Sequence, residues 1–179
     1  MASRTIDKPG HYFYLITAVA GIALLLRSQP VLALTFVPLR FFLILMGSVT
    51  LVATLLSIHK FRSAFACPPR TGIFLAICWN LLSWGFTATS VFLFSNYYLS
   101  EGEKHRKEFV ILERTDQPGN KGEHEKIRPA FTISYRGMEK ELVFANRFYK
   151  WKDDYKTVIL TLQEGRWGFE VIKGKAVTK

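Results

Sequence analysis

The chain has 179 residues, a formal net charge of +10 and a mean hydropathy of +0.13. Its two cysteines are too few for a disulfide-rich scaffold. The positive charge reflects missing acids, because residues 8–100 contain no Asp or Glu, whereas residues 101–179 contain thirteen of the fourteen. No basic and aromatic recognition motif accompanies the charge, so we expect no nucleic-acid partner.

The 93 residues without a carboxylate have the composition of a membrane-embedded segment, since carboxylates are costly to place in hydrocarbon. After an N-terminal tail at residues 1–10, we predict three transmembrane helices within residues 11–100. They cover about residues 12–26, 37–58 and 72–94.

The first predicted helix has an alternative interpretation as a cleaved signal peptide. Arg4 and Lys8 would form its basic start, and Val31-Leu32-Ala33 would be a small-residue cleavage site. We expect an uncleaved anchor instead, because a second hydrophobic segment follows almost at once.

The orientation in the membrane is predicted from the compact loop His59–Arg70, which carries three basic residues. Short basic loops favour the cytoplasmic side, so the C-terminal domain would lie outside the cytoplasm. The basic run Lys104–Lys107 after the third helix argues for the opposite orientation. Because the rule gives most weight to short loops, we expect an extracytoplasmic C-terminal domain.

Polar side chains recur at steps of three and four along the third predicted helix, at Asn80, Ser83, Thr87 and Ser90. This spacing places them on one face. Asn80, Ser83 and Thr87 are candidates for an intramembrane polar face that serves transport. The alternative, which we favour, is a packing surface formed by small and hydroxyl-bearing residues.

His11 and His59 fall at membrane edges that three helices would place on the same side. Two such imidazoles could hold a haem, which leaves a haem-linked redox or cofactor-assembly role as an alternative. Cofactor sites in helical membrane proteins and bundles usually lie deeper between the helices. We therefore expect neither a cofactor nor a metal.

After Lys107 the hydrophobic pattern changes to the two-residue period of β-strands. We predict a soluble antiparallel β domain at residues 101–179, either an open sheet or a small barrel, with a mobile loop at residues 115–128. Roughly four to six strands are expected in meander order. The segments with strand patterns are Glu108–Arg114, Pro129–Arg136, Glu139–Ala145, Tyr155–Leu162, Trp167–Ile172 and Lys175–Thr178.

The segment Asn146–Asp154 places three aromatic residues among charged ones and predicts a helical turn. Phe148, Tyr149 and Trp151 either form an interaction surface or cap the sheet. The sequence contains no Walker A loop, GxGxxG turn, HExxH helix or EF-hand loop, so we expect no enzymatic activity.

The layout of a few membrane helices followed by a small β domain resembles that of the NfeD-like group of bacterial membrane proteins, in layout alone. We expect a non-enzymatic protein of the plasma (inner) membrane, embedded in the lipid bilayer. Its β domain would bind a protein partner or a second copy and so scaffold or regulate an envelope complex. The alternative is an accessory subunit of a transporter or channel that uses the polar face of the third helix.

Overall fold

A computed structural model describes residues 8–65, 68–118 and 127–179 of the chain. Three long apolar helical stretches come first, and two antiparallel sheets of three strands each follow. The predicted fold class, three transmembrane helices followed by a small antiparallel β domain, is therefore confirmed. Over the described residues the sheets are open rather than closed into a barrel.

The chain forms two compact units. The helical unit comprises Met1–Leu32 and Phe36–Leu99. The β domain comprises Ser100–Lys179 and, in addition, the short segment Ala33–Thr35 from the connection between the first two helices. The β domain is thus built from two separate parts of the sequence.

The helical unit contains α1 (Lys8–Ala33), α2 (Leu39–Phe65), α3 (Pro69–Asn80) and α4 (Phe86–Tyr98). A π-helical turn at Leu81–Gly85 joins α3 to α4. Pro68 and Pro69 mark the start of α3, where the missing proline N–H groups cost no helical hydrogen bond. Since α3, the π turn and α4 follow without a break, they cross the membrane as one element.

Three stretches are long and apolar enough to span a membrane: Tyr12–Ala33, Leu39–Arg62 and Arg70–Tyr98, with mean hydropathies of 1.7, 2.3 and 1.3. By length and composition, this is a membrane protein. The first stretch continues past its predicted end at Leu26, because Arg27 is exposed and does not interrupt the helix. At the other end, Lys8–Gly10 belong to α1 and residues 1–7 lie outside the described part.

Aromatic side chains hold the helices together at two levels. Tyr14 of α1 packs edge-on against Phe61 of α2 with ring centroids 5.1 Å apart, in a cluster that includes the buried Ala76 of α3. The second cluster joins Val31, Phe42 and Leu93, one residue from each span. Because both clusters contain a residue of each span, all three spans share a packed core.

The β domain has two sheets, in the orders β1-β5-β6 and β2-β3-β4, with all neighbours antiparallel. The strands are β1 (His105–Val110), β2 (Glu113–Gln117), β3 (Arg128–Tyr135), β4 (Met138–Val143), β5 (Thr157–Glu164) and β6 (Glu170–Thr178).

Two features of the predicted β domain are wrong. The strands do not follow a meander, because β1 pairs with the distant β5. The segment Glu108–Arg114 is not one strand either. The chain leaves the first sheet at Ile111, whose N–H bonds to Lys156, and enters the second at Leu112, whose N–H bonds to Thr132.

The ends of the predicted loop at residues 115–128 are also strand residues. Thr115–Gln117 belong to β2 and Arg128 to β3, so the connection is shorter than predicted. Its central residues, 119–126, lie outside the described part. The two final predicted strands form one strand, β6, which begins at Glu170, so Trp167–Phe169 lie in the preceding turn; the β5–β6 pairing carries a register shift between Thr161 and Leu162.

Alternating side chains supply the core of the β domain. Val158, Leu160 and Leu162 of β5 are fully buried, while the residues between them are partly exposed. The β3–β4 hairpin turns through Arg136 and Gly137, which have φ values of 50° and 76°. Positive φ at both central residues is the requirement of a type I′ turn, which glycine satisfies without strain.

The segment Ala33–Thr35 lies along the free edge of β6. The N–H of Ile172 donates a 2.7 Å hydrogen bond to the Leu34 carbonyl, and Thr35 forms a β-bridge with Val171. Thr35 is buried, and Lys140 donates a hydrogen bond to its carbonyl oxygen. The connection between α1 and α2 therefore covers an edge that would otherwise expose unpaired backbone groups.

Candidate interaction site

The 3₁₀ turn Asn146–Trp151 carries the aromatic residues that the sequence singled out, and it confirms the predicted helical turn. The Asn146 amide donates a 2.6 Å hydrogen bond to a main-chain carbonyl just before β3. Phe148 is half-buried and packs edge-on against Phe144 and Tyr155, at centroid distances of 5.9 and 6.1 Å. Phe148 thus anchors the turn to the core of the domain.

Tyr149, the second candidate residue, is half-buried beneath Lys152. The Nζ of Lys152 lies 5.1 Å from the ring centroid and donates hydrogen bonds of 2.8 and 2.9 Å to the two carboxylate oxygens of Asp116 in β2. The hydrogen bond with Asp116 raises the pKa of Lys152. One face of Tyr149 is therefore covered from within the domain.

Trp151, the third candidate residue, is 46% exposed. The ammonium groups of Lys150 and Lys179 lie 5.1 and 4.5 Å from its ring, and Lys179 also pairs with Asp154 at 3.2 Å. We call Trp151, Lys150 and Lys179 the Trp151 patch. It offers a large apolar ring and ammonium donors in one place, which suits binding rather than proton transfer.

The candidate intramembrane polar face centres on Asn80, which is 1% exposed. Its Nδ2 lies 3.0 Å from Ser57 Oγ, 3.3 Å from Thr54 Oγ1 and 2.8 Å from the Ala76 carbonyl oxygen, and its two hydrogens are shared among these three acceptors. Ser57 and Thr54 belong to α2, so this amide cross-links two spans. Interhelical hydrogen bonds of this kind contribute about 0.6–2 kcal/mol each.

The hydroxyl groups of the same face bond to their own helix. Ser83 donates to the Trp79 carbonyl at 2.8 Å, and Ser90 donates to the Phe86 carbonyl at 2.9 Å. Thr87 is half-buried. The Ser83 and Ser90 hydroxyls are thereby satisfied within their own helix, which is compatible with a packing surface.

The π turn packs closely against both neighbouring spans. A Cβ added at Gly21 of α1 would lie 2.7 Å from the Ser83 carbonyl oxygen and still nearer to that of Leu82. On the other side, a Cβ at Gly85 would lie 2.8 Å from Thr50 Oγ1 of α2. Gly21 lets its backbone approach that of the π turn, and Gly85 leaves room for the Thr50 side chain, as small residues do in membrane helix pairs.

Sequence reasoning missed a polar cluster around Glu170 of β6. The Tyr135 hydroxyl donates a hydrogen bond to its carboxylate, and the His105 Nε2 and Lys107 Nζ lie 3.4 and 3.8 Å away. Burial and the adjacent Glu170 carboxylate raise the pKa of Tyr135 to about 12. The cluster joins the two sheets, because Tyr135 lies in β3 while His105, Lys107 and Glu170 lie in β1 and β6.

This cluster could not be found from sequence spacing, because Tyr135 and Glu170 lie at least 28 positions from each other and from the pair His105 and Lys107. The β1–β5 and β5–β6 pairings bring His105, Lys107 and Glu170 together, and contact between the two sheets, as between Phe109 and Tyr135, adds Tyr135. The Glu170 side chain is only 12% exposed, so its contacts with His105 and Lys107 lie partly inside the domain and are not ordinary surface ion pairs.

Among the described residues, no three His, Cys, Asp or Glu side chains are grouped as a metal ion would need. His59 is exposed near the end of α2. The side chain of His11 is outside the described part, so the proposed histidine pair stays a prediction.

No protein family model matches the chain, and neither a curated protein nor a solved structure shows significant similarity to it.

Proposed function

We propose that this is a non-enzymatic membrane protein whose C-terminal β domain binds an acidic surface of another protein. Through this contact it would scaffold or regulate a larger membrane complex. The observation that carries the proposal is the Trp151 patch, in which a half-exposed indole is flanked by two ammonium groups within 5.1 Å of its ring.

The chemistry of the patch favours a protein partner with exposed carboxylates. Tryptophan is among the residues that dominate the energy of protein interfaces, because its ring buries much apolar area with few rotatable bonds. Lysines beside the ring attract acidic partners and increase their association rate. Phe148 and Asn146 anchor the turn, so the indole is held in place before a partner arrives.

We further propose that the protein resides in the plasma (inner) membrane with the β domain outside the cytoplasm. Lys60, Arg62 and Arg70, in or beside the short connection between the second and third spans, support this orientation. An envelope complex is then the expected setting of the partner. Labelling of a Lys179→Cys variant with an impermeant thiol reagent on intact cells measures this directly.

The interaction proposal is tested with Trp151→Ala in the full-length protein. After chemical cross-linking in native membranes and affinity purification, we expect a discrete partner with the wild type. Its recovery should fall about tenfold or more with Trp151→Ala, since loss of a hot-spot residue costs about 2 kcal/mol or more.

Trp167→Ala is the matched control. Trp167 is 58% exposed in the β5–β6 turn of the same domain, outside the Trp151 patch. Recovery of the partner should be unchanged in this variant. Equal recovery from both variants, or purification of the wild type without any partner, would argue against the proposal.

The alternative role, an accessory subunit of a transporter or channel, depends on Asn80, Ser83 and Thr87. The hydrogen bonds from Asn80 to α2 and from Ser83 to its own helix support a packing role for this face. We therefore place the interaction role first.

A further inference from the structure

An apolar groove lies in the helical unit, between α1, α2 and the π turn. Its volume is about 590 Å³, within the range of small-molecule sites. It is open along one side, and its lining includes Phe13 of α1, Val52 and Leu56 of α2, and Trp84 of the π turn. Its walls are almost entirely apolar.

The groove follows one face of α2. Ser48, Val52, Leu56 and Lys60 recur at every fourth position, so they form a row that extends about 18 Å along the helix at 1.5 Å per residue. Leu56 is 80% exposed in the protein alone. Within a bilayer, exposed apolar side chains along a membrane span face hydrocarbon, so lipid acyl chains have access to this groove.

The groove ends at a cation, Lys60, and the described part of the helical unit contains no carboxylate that could pair with it. Lys60 is exposed and lies two residues before the end of the second span, where a lysine reaches the headgroup region. Residues 8–100 contain no Asp or Glu that could pair with it. Arg62, half a turn further, has a buried Nε without a hydrogen-bond partner among the described residues. Among the described residues, an anion for this edge must therefore come from outside the helical unit.

We infer that the groove is a binding site for an anionic phospholipid, with an acyl chain along Val52 and Leu56 and the headgroup phosphate on Lys60. The apolar row and the terminal cation match the two parts of such a lipid in the correct order. Negatively charged lipids are attracted to membrane-edge lysines by about 1 kcal/mol per residue, which corresponds to about a fivefold preference over a zwitterionic lipid.

Trp84 reports the occupancy of the groove. The full-length protein is reconstituted in phosphatidylcholine vesicles that contain a minor fraction of brominated-acyl phosphatidylglycerol or the same fraction of brominated-acyl phosphatidylcholine. Bromine quenches tryptophan fluorescence on contact, and the part of the quenching that disappears in Trp84→Phe comes from the groove. We expect that part to saturate at about fivefold lower mole fraction with the anionic lipid.

Two variants and a control separate this site from ordinary bilayer contact. Lys60→Gln should abolish the preference for the anionic lipid, and Ala53→Phe, which fills the groove, should reduce quenching by both lipids. Arg40→Gln, which removes an exposed cation at the start of the second span, should change neither.

Equal quenching by the two lipids in the wild type, or an unchanged preference in Lys60→Gln, would overturn the inference. Absence of Trp84 quenching by either lipid would also overturn it, because another protein segment would then occupy the groove. Added inorganic phosphate should leave the quenching unchanged, since the acyl chain supplies much of the contact.

Discussion

The charged form of Lys140 is disfavoured by burial in the folded β domain. Burial lowers its pKa from 10.5 to about 8, and its Nζ donates a hydrogen bond to the Thr35 carbonyl. A lowered pKa means that the folded protein binds this proton less tightly than the unfolded chain does. Stability should therefore rise as the pH increases from about 8 towards 10.5.

We predict that Lys140→Met reduces this pH dependence. In the wild type, the melting temperature of the purified protein in mild detergent should rise between pH 8 and pH 10. The corresponding gain in the free energy of unfolding is on the order of 1 kcal/mol, a figure kept small because part of the Lys140 side chain stays exposed. The variant should show a smaller rise. Burial also lowers the pKa values of Lys173 and Lys175, but both are present in each protein, so the difference isolates Lys140.

Lys156→Met is the control for Lys140, because it removes an exposed lysine from the same domain. Its melting temperature should follow the wild-type pH profile. If Lys140→Met also follows that profile, the cation is not buried against the segment Ala33–Thr35 in solution.

At the scale of single elements, the π turn depends on a glycine in a different helix. Gly21→Ala would place a methyl group against the Leu82 and Ser83 carbonyls, which are backbone atoms and cannot rotate away. We predict a loss of about 1–3 kcal/mol of stability from overpacking. The measurement is the thermal unfolding of the purified protein in mild detergent.

Gly47→Ala provides the matched control, because a Cβ at this α2 position meets nothing within 4 Å. Alanine is the better helix former by up to about 1 kcal/mol, so this variant should be neutral or slightly more stable. Equal melting temperatures for Gly21→Ala and Gly47→Ala would show that α1 does not approach the π turn as closely as described.

Local patterns were sufficient to predict most elements, because each depends on the residues within it. The uncharged stretches predicted the spans, and the alternation in Pro129–Arg136 predicted β3. The pairing of β1 with β5 could not be predicted, since it joins segments about 50 positions apart and no local signal records the partner. The π turn was not predicted either, because Leu81–Gly85 continues the apolar composition of the helix around it and no residue in it marks a change in hydrogen bonding.

The candidate interaction site was predicted in part. Phe148, Tyr149 and Trp151 are adjacent in sequence, so their membership of one turn was visible. Their different exposures were not, because they depend on distant residues. Tyr155 contacts Phe148, and Asp116 holds the lysine that covers Tyr149. Only Trp151 is left exposed enough to act as a binding residue.

For the whole molecule, the segment Ala33–Thr35 constrains how the chain crosses the membrane. Because this segment pairs with β6, the connection after α1 and the C-terminal domain must lie on the same side. An even number of crossings must then separate Thr35 from Ser100. The spans Leu39–Arg62 and Arg70–Tyr98 supply two, which requires α3, the π turn and α4 to cross as one.

We predict that Ala33→Cys and Lys179→Cys, each in a Cys67→Ser/Cys78→Ser background, are labelled from the same side by an impermeant maleimide. Both residues are exposed within the β domain. With the proposed orientation, both should react on intact cells, whereas His59→Cys, at the exposed end of α2, should react only after permeabilisation. Labelling of Ala33→Cys and Lys179→Cys from opposite sides would contradict the strand pairing itself. Labelling of both only after permeabilisation would preserve that pairing and reverse the orientation, so the experiment tests the fold and the topology separately.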